Sequence, residues 1–473
     1  MGDHVTTDRR RVLIGVSAWL IGTLPFLVQL VSGRTLKDME HYLASARAVL
    51  DGAGIYTTVP FEYPPYALAW FVLPAVFGPE LERFRVAFGL LIWGLDAAVK
   101  AALVWQGCRR RDRGVDLLPF LLYTLATAAL ARIIQQRYDV IPAAVSFAAA
   151  VLLTGGWPLL AGIAIAAAVG TKLFPAVYVP IMAAFAWRRG PRDLWRFVAG
   201  GAVGSLPLVA LSWMVPWWNF LGFHASRGLE AGSLWASVIW LGHYAGVPAT
   251  WEVISMWIEV TGPVTAWVVT PARIIWLVTT LACLGVAGWA ALSSSTTGPA
   301  AAETRDSDSL PTLAVLLLFP VTAFVALSPV LSPQFHLWLA PWCALALLAR
   351  GRRDLITGAP GVRRAIACLF FANYLVPVFY PSRTFTPGLD LGRTIVLVFR
   401  NALLIYAVWC LSKAIVAFYR RPSSRTPVHP SSAGDSGVLD SPPAGDSTNT
   451  WRTIQVISIE SSRPAGARID RND

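Results

Sequence analysis

Five short polar segments, set between apolar runs, carry the residue types able to do chemistry. RTLKDMEHYL places Asp38 and Glu40 at the start of a helical pattern, and RIIQQRYD gathers Arg132, Gln135, Gln136, Arg137, Tyr138 and Asp139. GTKLFP holds Lys172, the only lysine or arginine between residues 138 and 187. HASRGLEAGSLWAS adds His224, Arg227, Glu230, Ser233 and Trp235, and SPVLSPQFHLWLAPW adds Ser332, Gln334 and His336. A carboxylate such as Asp38 can act as general base toward a hydroxyl, and cations such as Lys172 or Arg227 can neutralise a phosphate.

Each candidate also has a plainer reading. A carboxylate near a helix N-terminus caps it or answers its dipole, and Asp38 fits that equally well. A single interfacial arginine is an anchor, whereas two Arg with an Asp and two Gln suit a charged, hydroxyl-rich headgroup. Lys172 either snorkels to the interface or meets a phosphate. A lone histidine such as His336 is more often structural than catalytic. Asp96 and Lys100, at i and i+4 inside an apolar run, read as an intrahelical pair rather than a proton relay.

The elements that position these residues belong to a membrane. Of 473 residues, 55% are hydrophobic and only 14% charged, where a soluble chain carries about 25% charged residues. Twenty-one Trp and 12 Tyr suit the two interfaces. The net charge of +12 sits in short clusters between apolar runs, such as Arg9-Arg10-Arg11, Arg109-Arg110-Arg111 and Arg352-Arg353. That distribution marks the cytoplasmic side and argues against nucleic acid as a partner. The five cysteines lie in or beside apolar runs without disulfide or zinc spacing. The first apolar run, near 12–31, is long enough to span and no cleavage site follows it.

Twelve such runs, the last near 394–416, predict an all-α integral membrane bundle of about 12 spans. Both ends are then cytoplasmic and the candidate segments face outward, across the plasma membrane. Tyr63–Gly78 is too short and proline-rich to span, with Pro64, Pro65 and Pro74. It reads as a juxtamembrane helix on the outer face. Leu36, Met39, Leu43, Ala46 and Leu50 predict a second, amphipathic one over 36–50, stopped by Asp51-Gly52. Residues 1–420 form the polytopic domain, with outer segments 32–84 and 217–262 the largest. The stretch 291–311 reads as a flexible cytoplasmic loop, and 421–473, rich in Ser, Pro and Gly, as a disordered cytoplasmic tail.

From about residue 10 to 415 the chain resembles the polyprenyl-phosphate-dependent glycosyltransferases of the GT-C class. It is most similar to the actinobacterial mannosyltransferase branch that includes the phosphatidylinositol-mannoside mannosyltransferases. The resemblance rests on KDMEHYLASARAVLDGAGIYTTVPFEYPP, RYDVIPAAVSF, AGIAIAAAVGTKLFPAVYVP, HASRGLEAGSLWAS and LSPQFHLWLAP, in that order. It implies a GT-C type bundle that takes sugar from a polyprenyl-phosphate donor to a glycolipid or lipoglycan acceptor. Asp38 matches the essential acid of the first outer loop, and Asp139 the acid of the second. Lys172, Arg227 and His336 fall in segments tied to the carrier phosphate and sugar pocket, with Glu40, Arg137, His224 and Gln334 beside them as binding candidates. KDMEH offers DxE rather than a paired DxD, so neither metal nor other cofactor is expected. Membrane lipids are the remaining partner.

Two other readings stand beside this one. A GT-C transferase could use another carrier sugar, such as arabinofuranose. A transporter or flippase would also be apolar and basic inside, but would hold its polar site at mid-membrane. A non-catalytic scaffold has only the tail in its favour.

Overall fold

The computed structural model describes residues 2–32, 37–78, 80–108, 115–254, 257–293, 309–348, 356–379 and 390–420. All belong to one compact unit, Met1–Arg421. The expected tail and most of the 291–311 loop lie outside the described residues.

The chain runs through α1 (Gly2–Ser32), α2 (Lys37–Leu50), α3 (Tyr66–Phe77), α4 (Leu81–Cys108), α5 (Leu118–Ala129) and α6 (Ala131–Ile134). It continues with α7 (Val140–Thr154), α8 (Pro158–Thr171), α9 (Val179–Arg189) and α10 (Pro191–Ser212). A mixed segment follows, with α11 (Phe220–Ala225), β1 (Leu229–Glu230), α12 (Leu234–Tyr244), β2 (Thr250–Ile254) and β3 (Trp257–Thr261). The remaining helices are α13 (Thr265–Ser293), α14 (Ser309–Leu327), α15 (Ala340–Leu347), α16 (Pro360–Phe379) and α17 (Leu391–Tyr419).

Among the described residues, six helices are long and apolar enough to cross a bilayer: α1, α4, α10, α13, α14 and α17. The predicted runs at 117–131, 140–154 and 158–171 form shorter apolar helices, where Pro119, Gly155 and Pro158 interrupt the chain. α14 is central, with Leu313 to Phe319 all buried. α8 and α10 pack backbone to backbone, because Gly162 faces the Phe197 carbonyl and Gly200 faces the Leu159 carbonyl. Small residues allow such close approach in lipid, where apolar burial does not drive helix association.

The two helices expected over 36–50 and within 63–78 both form. α2 buries Met39, Tyr42, Leu43 and Ala46. It stops at Gly52, whose φ of 74° suits glycine. α3 has 12 residues and carries Pro74 inside it. It lies against α2 and α4.

The all-α expectation needs one correction. The 217–262 segment contains an antiparallel three-stranded sheet in the order β1-β3-β2, with Glu230 opposite Glu259. Trp251, Val253, Ile258 and Val260 are aromatic or β-branched at alternating positions, which favours strands. Asp96 and Lys100 form the expected pair at 2.6 Å, and Lys100 also donates to the Gly22 carbonyl at 3.0 Å. Trp19 donates to the Ala97 carbonyl at 2.8 Å, so this pair ties α1 to α4.

Candidate functional site

The segments that follow α1, α5, α8, α10 and α14 converge at one end of the bundle. Asp38, in the first turn of α2, meets Arg137 in the turn between α6 and α7, with Oδ1 and Nη1 2.7 Å apart. Asp139 precedes α7 without capping it; its Oδ1 accepts from Lys172 Nζ at 2.7 Å and from Trp338 Nε1 at 2.9 Å. Lys172 ends α8 in extended backbone, which turns its side chain inward. Its ammonium lies 4.6 Å from the Tyr138 ring centroid and 5.4 Å from that of Trp338, within cation–π range. Trp338 is itself stacked between Phe174 and Phe335, at 3.8 and 3.9 Å.

The sheet builds the other half of the site. Arg227 pairs with Glu230 at 3.2 Å and lies 4.2 Å over the Trp257 ring. Glu259 holds this corner by accepting from the Gly228 amide and from Trp257 Nε1, each at 2.8 Å. Ser332 Oγ stands 2.6 and 2.8 Å from the two oxygens of Glu230. Arg273, from α13, donates to the Arg227 carbonyl. Behind the sheet, buried Arg400 donates to the Gly232 carbonyl, and Asn401 donates to the Ser233 carbonyl at 3.1 Å and to Ser237 Oγ at 2.6 Å. α17 therefore fixes the turn that carries Glu230.

Between the two halves lies a cavity of about 580 Å³. Its polar wall includes Glu62, Arg137, Lys172, His224, Arg227, Glu230, Ser332, Gln334 and Arg273. Its apolar wall includes Leu221, Trp276, Leu277, Phe324 and Phe335. Leu277 and its neighbours Ile274 and Val278 are exposed on α13, so the apolar side adjoins the bundle surface. Such a mixed lining suits an amphiphile with an anionic head.

Of the residues singled out from sequence, Arg137, Lys172, His224, Arg227, Glu230, Ser332 and Gln334 line the cavity. Asp38 and Asp139 stand behind the wall, each paired to a cation that lines it. His336 is buried, and neither ring nitrogen has a hydrogen-bond partner among the described residues. Glu40 is exposed on α2 and does not line the cavity. Glu62 and Arg273 were not anticipated. The signal for Arg273 was present: it is the only charged residue in the apolar run 264–290. Glu62 gave no such signal, being one acid in a loop that holds several.

Burial pulls Lys172 below the ordinary lysine range, and Asp139 opposes that shift. Burial would also lower Arg137, but Asp38 and neighbouring groups more than offset it. Enclosure by protein, then the Arg227 and Lys172 cations, push His224 down to about 4, although much of its surface remains open. Its Nε2 donates to the Glu62 carbonyl oxygen at 3.0 Å. Burial, then Arg400, push His336 down to about 3. Both imidazoles are neutral at pH 7. Among the described residues, no group of three or more His, Cys, Asp or Glu side chains could hold a metal ion. No protein-family model matches the chain, and no curated protein matches it.

Proposed function

We propose that this protein is a membrane glycosyltransferase of GT-C type that moves a sugar from a polyprenyl-phosphate carrier to a lipid acceptor with inversion. Mannose is the donor sugar we assign first, and a glycolipid or lipoglycan the acceptor. The observation that carries this reading is the cavity, where four cations face an apolar wall open toward the surface of α13. A sugar phosphate on a long isoprenoid presents the complementary chemistry, with an anionic head and an apolar tail.

The cations do not have equal roles. Asp38, Asp139 and Glu230 already answer Arg137, Lys172 and Arg227. Among the described residues no carboxylate pairs with Arg273, so its charge is available to a phosphate. As the bond from the anomeric carbon to phosphate breaks, Arg273 and Lys172 stabilise the departing charge. A carboxylate of the first outer segment takes the acceptor proton, and the resemblance assigns that role to Asp38. In this reading the six long helices and the shorter apolar ones together make about twelve spans. Both termini are cytoplasmic and the cavity is extracytoplasmic in the plasma membrane.

The test is transfer by detergent-purified protein, using synthetic polyprenyl-phosphate-mannose and a panel of mannolipid acceptors. Mannolipid product is expected. Product only with the arabinofuranosyl carrier would keep the enzyme class and change the sugar. No product with any carrier sugar would overturn the reading.

A further inference from the structure

Resting on that transferase reading, we infer that Glu62 is the carboxylate that meets the acceptor hydroxyl, with His41 carrying its proton outward. Asp38 then acts as a positioning residue for Arg137. Glu62 is only 5% exposed, yet it lines the cavity; Asp38 is equally buried and does not. Asp38 is engaged by Arg137, which itself lines the cavity. Glu62 has no cation within ion-pair distance among the described residues other than His41, if that ring is protonated, with Nε2 3.8 Å from Oε1. Tyr63, the next residue, lines the same cavity.

His41 has the geometry of a proton exit. Its Nε2 is buried without a hydrogen-bond partner and faces Glu62, while 30% of its side chain reaches solvent. A small shift would close the 3.8 Å gap to hydrogen-bond distance. The groups that share this environment are Asp38 and Tyr42 on α2, Tyr63 in the same loop, and Arg137, Tyr138 and Asp139 before α7. Lys172 after α8 and His224 on α11 complete the set.

The acceptor oxygen uses a lone pair to bond the anomeric carbon, and its proton passes to Glu62. The carbon–oxygen bond to phosphate breaks, and its electron pair leaves with the polyprenyl phosphate. Glu62 then hands the proton to His41 and so to outer water, which restores the carboxylate.

The experiment separates contact from positioning by its effects on kcat and donor KM. Glu62→Gln should lower kcat by about 100-fold or more, leaving the donor KM and melting temperature near wild type. Glu62→Asp should recover part of that rate. Asp38→Asn should raise the donor KM, because it releases Arg137. His41→Gln should slow turnover less, and its rate should respond to added small imidazole buffer. Product formation by Glu62→Gln within twofold of wild type would overturn the inference and leave the transferase reading intact. A wild-type protein inactive with every carrier sugar would remove both.

Discussion

Arg137 and Asp38 meet at 2.7 Å, with 23% of the arginine side chain exposed and 8% of the aspartate. The pair joins the opening turn of α2 to the turn before α7, so it holds the non-spanning helix against the bundle.

Asp38→Asn should therefore lower stability as well as activity. Removing one partner of a buried pair leaves an uncompensated charge, which costs about 3–5 kcal/mol in a dry interior. Partial exposure of Arg137 reduces the expected loss to roughly 1–3 kcal/mol. Thermal melting of the purified protein in detergent measures it. A melting temperature equal to wild type would mean that α2 is held by other contacts.

The membrane class, the helices α2 and α3 and the Asp96–Lys100 pair were legible because each follows from local rules. Apolar run length, proline and i,i+4 spacing act within one segment. The site was legible in its parts but not in its pairing. Lys172 and Asp139 lie in different segments, and only the packing of α7 against α8 makes one the partner of the other. Glu40 illustrates the limit. It looks equivalent to Asp38 in KDMEH, yet two residues along a helix turn a side chain about 200° away. The sheet was missed because its strands are short and sit in a loop rich in Trp and Gly, where apolar residues also suit a membrane interface.

Acid should weaken the fold through His336. Its folded pKa of about 3 lies below the ordinary value of 6.5, so the unfolded chain takes a proton where the folded chain does not. The stability this residue contributes is fully present above about pH 6.5 and falls as pH drops toward 3. At pH 5 the loss from this residue alone comes to about 2 kcal/mol. Melting at pH 7.5 and pH 5.0 should show a smaller drop for His336→Leu than for wild type. Equal drops would place the acid sensitivity elsewhere.

Close packing of α8 on α10 gives a prediction independent of function. A Cβ at Gly162 would run into the Phe197 carbonyl, and one at Gly200 into the Leu159 carbonyl. Backbone cannot yield as a side chain does, so Gly162→Val or Gly200→Val should cost roughly 1–3 kcal/mol. Gly201 is the control, since a Cβ there meets nothing within 4 Å. Gly201→Ala should be neutral or slightly stabilising, as alanine is the better helix former. Melting that falls equally in all three variants would indicate a general intolerance of α10 rather than a specific contact.

Arg273 offers the sharpest test of how the cavity holds an anion. Among the described residues it hydrogen-bonds the Arg227 carbonyl and pairs with no carboxylate, so removing its charge leaves no acid stranded. Arg273→Gln should keep the melting temperature near wild type. It should raise the donor KM about tenfold or more, equivalent to at least ~1.4 kcal/mol of binding. Lys172→Gln should behave differently, because Asp139 then keeps only the Trp338 donor and both stability and binding should fall. Unlabelled polyprenyl phosphate supplies a readout without turnover: it should raise the melting temperature of wild type and fail to do so for Arg273→Gln. An unchanged thermal shift in that variant would move the phosphate to the paired cations, and would require one of their carboxylates to give up its partner when the lipid binds.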